Sequence, residues 1–229
     1  MKKYFITYAT PKYIDSAKNI INSAKFLGKF DETKLFTNTD IDDKFLKRNE
    51  HILKNERGAG YWLWKPYIIL KQLLELNDGD ILCYCDTQFL FLDNIDIIIK
   101  DILPEDQDIG ITHNKPNERI YLEKQFSKGD AFLFMNAFEE EIRNTPQCWA
   151  GFVIFRKSFE SILFVSNWLA HAQNEKIIND TPSMIVNNDN YFIDNRHDQT
   201  VLSLLAKKWK IKFNNFPLNT LHNIRVPVP

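Results

Sequence analysis

The stretch DGDILCYCDTQFLF, residues 78–91, decides the fold. A polar turn leads into a continuous apolar run, residues 81–85, and that run ends in the carboxylate of Asp86. An apolar run of strand length without polar alternation predicts a strand that is covered on both faces. Ligands bind at the carboxyl ends of such strands in open α/β sheets, so Asp86 is a candidate site residue. The local spacing supports equally an aspartate that caps the following turn.

Segments on both sides of this run alternate between strand and helix patterns. The sequence predicts strands at 4–8, 34–37, 108–112, 151–155 and 210–213, and helices at 14–27, 67–76, 159–173 and 198–209. Pro66 can open the second of these helices, and the preceding Gly58-Ala59-Gly60 marks a turn. Alternation of this kind predicts an α/β domain with a mainly parallel central sheet and helices on both faces.

Length, charge and cysteine content narrow the class of protein. A chain of 229 residues suits one domain, 1–229, and a net charge of -1 disfavours nucleic acid as a partner. The three cysteines, Cys83, Cys85 and Cys148, are expected to be small buried hydrophobes, as in a reducing compartment. Because the N-terminus lacks a signal-peptide pattern and no apolar run is long enough to span a membrane, a cytoplasmic protein is expected.

Five blocks of the sequence resemble one enzyme superfamily. The segment YCDTQ, residues 84–88, is similar to the Asp-x-Asp region of GT-A glycosyltransferases, with Asp86 at the first aspartate and Gln88 in place of the second. The other blocks are FITYAT at 5–10, GAGYWLWKP at 58–66, QCWAGFVIF at 147–155 and RHDQT at 196–200. Their order resembles that of small bacterial and viral glycosyltransferases of capsule or lipopolysaccharide assembly, over roughly residues 4–210.

The resemblance implies transfer of a hexose-type sugar from a nucleotide-sugar donor, expected to be UDP-linked, to a glycan or lipid-linked acceptor. A lipid-linked acceptor would bring the protein to the membrane surface. The resemblance also implies Mn²⁺ or Mg²⁺ at Asp86, with Gln88 and His222 as further ligands. The implied donor-binding residues are Thr7, Tyr8, Tyr13, Lys65, Asp86 and Thr87.

Several of these residues have an ordinary structural alternative. Lys65 either contacts the donor phosphates or is a solvated lysine at a helix start. Asp198, the implied catalytic residue that would orient or deprotonate the acceptor hydroxyl, is also a suitable N-cap for the helix that follows it. His222 is either a metal ligand or a surface residue. Trp62 and Trp64 alternate, so one can line a sugar pocket while the other packs in the core.

Two other functions compete with glycosyl transfer. A sugar-phosphate nucleotidyltransferase would need a glycine-rich loop directly after the first strand, and YATPK at 8–12 contains no glycine. A non-catalytic protein that binds a glycan or a nucleotide sugar on the same fold stays open, because Gln88 replaces the second aspartate of the motif.

Overall fold

The computed structural model describes residues 1–113, 121–214 and 220–223. In this part of the chain, six strands form one sheet in the order β2-β1-β3-β6-β5-β7, and two more form the pair β4-β8. The strands are β1 (Lys3–Tyr8), β2 (Glu32–Phe36), β3 (Ile81–Cys85), β4 (Phe89–Phe91), β5 (Ile109–His113), β6 (Cys148–Arg156), β7 (Phe213–Asn214) and β8 (Leu221–Asn223).

Helices connect most of these strands. They are α1 (Ile14–Phe26), α2 (Asp43–Arg48), α3 (Glu50–Leu53), α4 (Gly58–Tyr61), α5 (Trp64–Glu75), α6 (Ile95–Ile102), α7 (Glu123–Phe126), α8 (Gly129–Phe134), α9 (Glu140–Arg143), α10 (Phe159–Ala172), α11 (Glu175–Ile178) and α12 (Asp198–Lys208). Helix α5 begins before Pro66, which lies in its first turn, where the missing N–H group leaves no bond unmade. No helix in the described ranges combines the length and apolar character that a membrane crossing needs.

The central sheet is mainly parallel, as predicted. Strand β1 runs parallel to both β2 and β3, and β7 runs parallel to β5. Strand β6 lies antiparallel between β3 and β5 and is the exception in the described sheet. The predicted strand at 81–85 is confirmed with the same bounds.

Strand β3 is buried on both faces, which explains its unbroken apolar sequence. Leu82 and Tyr84 face a core formed with α5, α10 and α12, whereas Cys83 and Cys85 face a second core formed with α1, β4 and α6. All three cysteines are buried free thiols, as expected. Since side chains alternate along a strand, Tyr84 and Asp86 point to the same side, at the end of the strand.

The carboxyl ends of β1 and β3 lie next to each other, and the first half of β6 reaches the same edge. The backbone N–H of Asp86 donates to the carbonyl of Gly151 over 2.8 Å, which ties the end of β3 to β6. The start of α12 is bound to this edge as well, because the side-chain oxygen of Gln199 accepts a hydrogen bond from the Ala150 N–H over 3.2 Å. The edge therefore gathers segments that are far apart in sequence.

Candidate active site

An open cleft lies at this edge of the sheet. It is lined by the turn before α5, by the junction of β3 with β6, and by the start of α12. Four of the five sequence blocks that resemble glycosyltransferases contribute to the lining. The lining residues are Arg57, Trp62, Lys65, Asp86, Trp149, Ala150, Gly151, Arg196, His197, Asp198 and Gln199.

A lysine between two carboxylates forms the charged centre of the cleft. The Nζ atom of Lys65 lies 3.5 Å from Oδ1 of Asp86 and 3.2 Å from Oδ2 of Asp198. The Lys65 side chain is only 4% exposed, so the alternative of a solvated lysine is wrong. Burial by itself lowers the pKa of Lys65, but the attraction of Asp198 and Asp86 outweighs it and the pKa is raised. The ammonium group therefore stays charged.

Asp198 is the more deeply buried of the two carboxylates. The N-cap position of α12 is occupied by His197, so Asp198 is the first residue inside the helix and not its cap. Its side chain is 4% exposed, and its pKa is raised to about 6, because burial disfavours the charged form more strongly than Lys65 favours it. Asp198 therefore lines the cleft and gains or loses its proton near neutral pH.

Asp86 is held by a tyrosine that the sequence interpretation did not select. The hydroxyl of Tyr84 donates to Oδ1 of Asp86 over 2.6 Å. Burial raises the pKa of Tyr84 well above its usual value, so the hydroxyl keeps its proton. The spacing of two residues on one strand is the signal that could have identified Tyr84, because it places both side chains on the same side. The partners of the Asp86 carboxylate that the structure describes, Tyr84 and Lys65, lie outside the turn that follows it.

Gly151 gives the Asp86 carboxylate the room it occupies. A Cβ atom at position 151 would lie 2.7 Å from Oδ2 of Asp86 and 2.1 Å from Cζ2 of Trp149. A Cβ atom does not approach a non-bonded heavy atom this closely. Any other residue at position 151 must therefore displace the carboxylate or the indole ring.

The short segment α4, together with Trp62, is a left-handed turn before α5. This turn decides which of Trp62 and Trp64 faces the cleft. Every residue from 58 to 62 has positive φ, including Ala59 at 50°, Tyr61 at 52° and Trp62 at 59°. The N–H of Tyr61 donates to Arg57 O, and that of Trp62 to Gly58 O, over 2.8 and 3.2 Å. The turn places the Trp62 side chain in the lining of the cleft.

Trp64 is the tryptophan of the pair that packs in the core. It is buried in the core, and its ring stacks on Tyr8 with 3.9 Å between the ring centroids. Of these two tryptophans, Trp62 is therefore the one that lines the cleft.

His197 connects the turn to the start of α12. Its φ of 56° and ψ of -120° are unusual for a residue with a side chain. The rings of Tyr61 and Trp62 stack on its imidazole at 4.9 and 5.3 Å. Its Nδ1 lies 2.7 Å from the carbonyl of Ile178, which makes Nδ1–H the donor. Burial lowers the pKa of His197, so the ring is neutral and holds the turn by stacking rather than by charge.

The remaining predicted donor-binding residues lie outside the cleft lining. Thr7 is fully buried, and its hydroxyl donates to the carbonyl of Cys85 over 2.7 Å, which joins β1 to β3. Tyr8 ends β1 and is covered by Trp64, whereas Tyr13 is exposed just before α1. Thr87 follows Asp86 and is half-buried. A contact between the donor and these four residues stays a prediction.

In the described part of the chain, no cluster of protein ligands at Asp86 supports a metal ion there. No group of three or more His, Cys, Asp and Glu side chains that could hold a metal is present in that part of the chain. Gln88 is exposed just before β4, and His222 is exposed opposite Leu90 on β8; neither is among the described residues that line the cleft. Lys65 and the Tyr84 hydroxyl already engage Oδ1 of Asp86. Mn²⁺ or Mg²⁺ stays a prediction, and no step below depends on it.

The folded chain is similar to solved glycosyltransferase structures, whereas no protein-family profile and no curated protein sequence matches it. It matches mouse xyloside xylosyltransferase 1 at 13% identity and a TM-score of 0.50, over 94% of this chain and 84% of that one. It matches the galactosyltransferase LgtC, solved with donor and acceptor sugar analogues, at 12% identity and a TM-score of 0.50, over 98% and 87% of the two chains. The chain has the GT-A fold.

A third similar structure is the bifunctional glycosyltransferase WbbM, at 10% identity and a TM-score of 0.53. The match covers 95% of this chain but 39% of WbbM, so the chain corresponds to one part of that protein. At these identities the similarity establishes the fold alone. What the cleft does must be argued from its own residues.

Proposed function

We propose that this protein is a glycosyltransferase that moves a hexose-type sugar from a nucleotide-sugar donor, UDP-linked, to a glycan or lipid-linked acceptor. One observation carries the proposal. In a GT-A fold, the cleft at the carboxyl ends of β1 and β3 holds a buried ammonium group between two carboxylates. Buried ionisable groups with strongly perturbed pKa values cluster at functional sites, and this is where an α/β sheet binds its ligands.

The chemistry of glycosyl transfer requires charge stabilisation on the leaving group. The bond from the anomeric carbon to the diphosphate breaks through an oxocarbenium-like transition state, as in glycoside hydrolysis. Negative charge then grows on the diphosphate. Lys65 is a fixed cation at the base of the cleft, and its low exposure of 4% makes its field stronger than it would be in water. We assign to Lys65 the stabilisation of that charge.

The acceptor hydroxyl has to be oriented and, as the new bond forms, deprotonated. Asp198 lies in the cleft lining, and its pKa of about 6 leaves it mostly ionised at neutral pH but basic enough to accept a proton. Tyr84 and Lys65 both engage Asp86, which fixes that carboxylate for contact with sugar hydroxyls. We therefore assign Asp198 to the acceptor and Asp86 to the donor sugar.

The acceptor class and cellular location are further parts of the proposal. The sequence blocks resemble enzymes of capsule and lipopolysaccharide assembly, which favours a polysaccharide or its lipid-linked precursor. Three buried free thiols are compatible with the reducing cytoplasm. A lipid-linked acceptor would require transient contact with the membrane surface.

Release of UDP from a panel of UDP-sugars tests the proposal, with and without a glycan acceptor, and in either Mn²⁺ or EDTA. We expect turnover of at least one donor, and loss of transfer in Asp198→Asn. Asp101→Asn is the matched control, because Asp101 is exposed on α6. Folded protein that binds a donor but turns over none would instead be the non-catalytic binding protein.

A further inference from the structure

The cations of the cleft lining differ in how far they are neutralised. Arg57 binds Asp180 and Asp194, over 2.8 and 2.7 Å. Lys65 is shared by its two carboxylates. Arg196 is the third cation of the lining, and its guanidinium group has no salt bridge to any carboxylate in the ranges that the structure describes. An anion that enters the cleft therefore meets one arginine whose charge is still available.

Arg196 is supported by contacts that leave its charge intact. Its guanidinium carbon lies 4.8 Å from the ring centroid of Phe126 and 5.8 Å from that of Tyr121. Its backbone N–H donates to the carbonyl of Phe126 over 3.1 Å. Aromatic faces attract a guanidinium group without supplying hydrogen-bond acceptors for its N–H groups. The side chain is thus held in place beside the cleft with donors to spare.

Gln199, a neighbouring polar residue at the start of α12, cannot bind an anion in this way. Oε1 of Gln199 accepts from the Ala150 N–H over 3.2 Å, and its Nε2 donates to Oε1 of Gln147 over 2.8 Å. Both ends of that amide are therefore engaged. By contrast, Arg196 offers the planar fork of donors that matches phosphate oxygens in bidentate geometry.

The charges at the base of the cleft make such a cation necessary. With Asp198 ionised, two carboxylates face the single ammonium group of Lys65, so the base of the cleft carries a net negative charge. Lys65 alone therefore does not offset the charges of both carboxylates and of an incoming diphosphate. A free arginine at the rim offsets this negative charge, and the described residues contain no group of three or more His, Cys, Asp and Glu side chains that would hold a metal ion there instead.

We infer that Arg196 binds the diphosphate of the donor directly, without a bridging divalent cation. The inference rests on the proposed function only for the identity of the whole donor. Binding of the anion by Arg196 does not depend on that function. Any ligand with two linked phosphates, including inorganic pyrophosphate, contains the group that Arg196 recognises.

Calorimetric titration of the protein with inorganic pyrophosphate and with UDP, both in EDTA, tests this inference. Arg196→Gln should weaken both affinities by roughly tenfold to hundredfold, the range for a hydrogen bond to a charged group. Arg196→Lys keeps the charge but loses the fork, so we expect an intermediate loss. Arg48→Gln is the matched control, because Arg48 is exposed on α2 and is not among the residues that line the cleft.

The outcomes separate this inference from the proposed function. Wild-type affinity of the folded Arg196→Gln variant for pyrophosphate, or binding by the wild type in Mn²⁺ but not in EDTA, overturns the role of Arg196. Pyrophosphate binding that depends on Arg196, together with no turnover of any UDP-sugar, supports the anion site and refutes glycosyl transfer. Turnover that is unchanged in Arg196→Gln leaves glycosyl transfer standing and refutes the inference.

Discussion

Replacement of Lys65 by methionine removes the one cation between Asp86 and Asp198 and keeps a side chain of similar length. The substitution leaves two carboxylates in the cleft base without the ammonium that lies 3.5 and 3.2 Å from them. If this centre is as charged as we describe, the protein must lose stability as well as activity. A lysine that merely filled space could be replaced by methionine with little loss.

The burial of the two carboxylates sets the size of the effect. Removal of one partner of a buried ion pair costs about 3–5 kcal/mol, because the remaining charge is left uncompensated. Asp198 is 4% exposed, but Asp86 is 29% exposed and is partly solvated. We therefore expect a loss near the lower end, about 3 kcal/mol. At roughly 2–4 °C per kcal/mol for a domain of this size, the melting temperature should fall by about 6–12 °C.

Urea unfolding at pH 8 measures the loss, and a double-mutant cycle assigns its cause. Asp198→Asn in the Lys65→Met background should recover part of the stability, with a coupling energy above about 1 kcal/mol. The loss should also shrink at lower pH. Burial raises the pKa of Asp198, so the penalty of its charge is present above the folded pKa and disappears as the carboxyl takes up a proton. A Lys65→Met protein within 1 kcal/mol of wild type at pH 8 would refute the reasoning.

Three further predictions concern the cleft. The pKa of about 6 for Asp198 predicts that kcat/KM falls tenfold per pH unit below that value, and that the residual rate of Asp198→Asn lacks this limb in a pH–rate profile. Gly151→Ala should cost about 1–3 kcal/mol in denaturant unfolding and should abolish donor turnover. Gly79→Ala is a control for turnover alone: the new Cβ meets nothing within 4 Å, but the φ of 84° strains it, so this variant should lose stability and keep turnover. Tyr84→Phe should keep the fold in circular dichroism but lower kcat, because Asp86 loses the donor at 2.6 Å; an unchanged kcat would remove Tyr84 from the site.

The parts of the fold that depend on local pattern could be predicted from the sequence. The run at 81–85 identified the central strand because burial on both faces forces an unbroken apolar sequence. Helix α10 agrees with the predicted helix at 159–173 to within one residue, since apolar spacing is a local signal. The predicted helix at 67–76 begins three residues after the observed start of α5 at Trp64, because Pro66 lies inside the first turn of α5.

The partners of the candidate site residues could not be predicted in the same way. Lys65 and Asp198 are far apart in sequence, and no local spacing shows that a fold brings their charges within 3.2 Å. The same limit applies to Arg196, whose availability depends on which carboxylates other segments bring near it. Resemblance to a family located the blocks that line the cleft. Only the structure separates the lysine that two carboxylates hold from the arginine that none of the described carboxylates holds.

The left-handed turn before α5 shows why the candidate site differs from what local preferences would build. Glycine adopts positive φ freely, but Ala59, Tyr61 and Trp62 each lose roughly 1–2 kcal/mol in this conformation. Residues that are held in such a conformation persist only where their surroundings determine them. Here the stacking of two rings on His197 does so, and His197 is itself at positive φ. The strained residues on the two sides of the cleft therefore support each other, and Trp62 lines the cleft beside them.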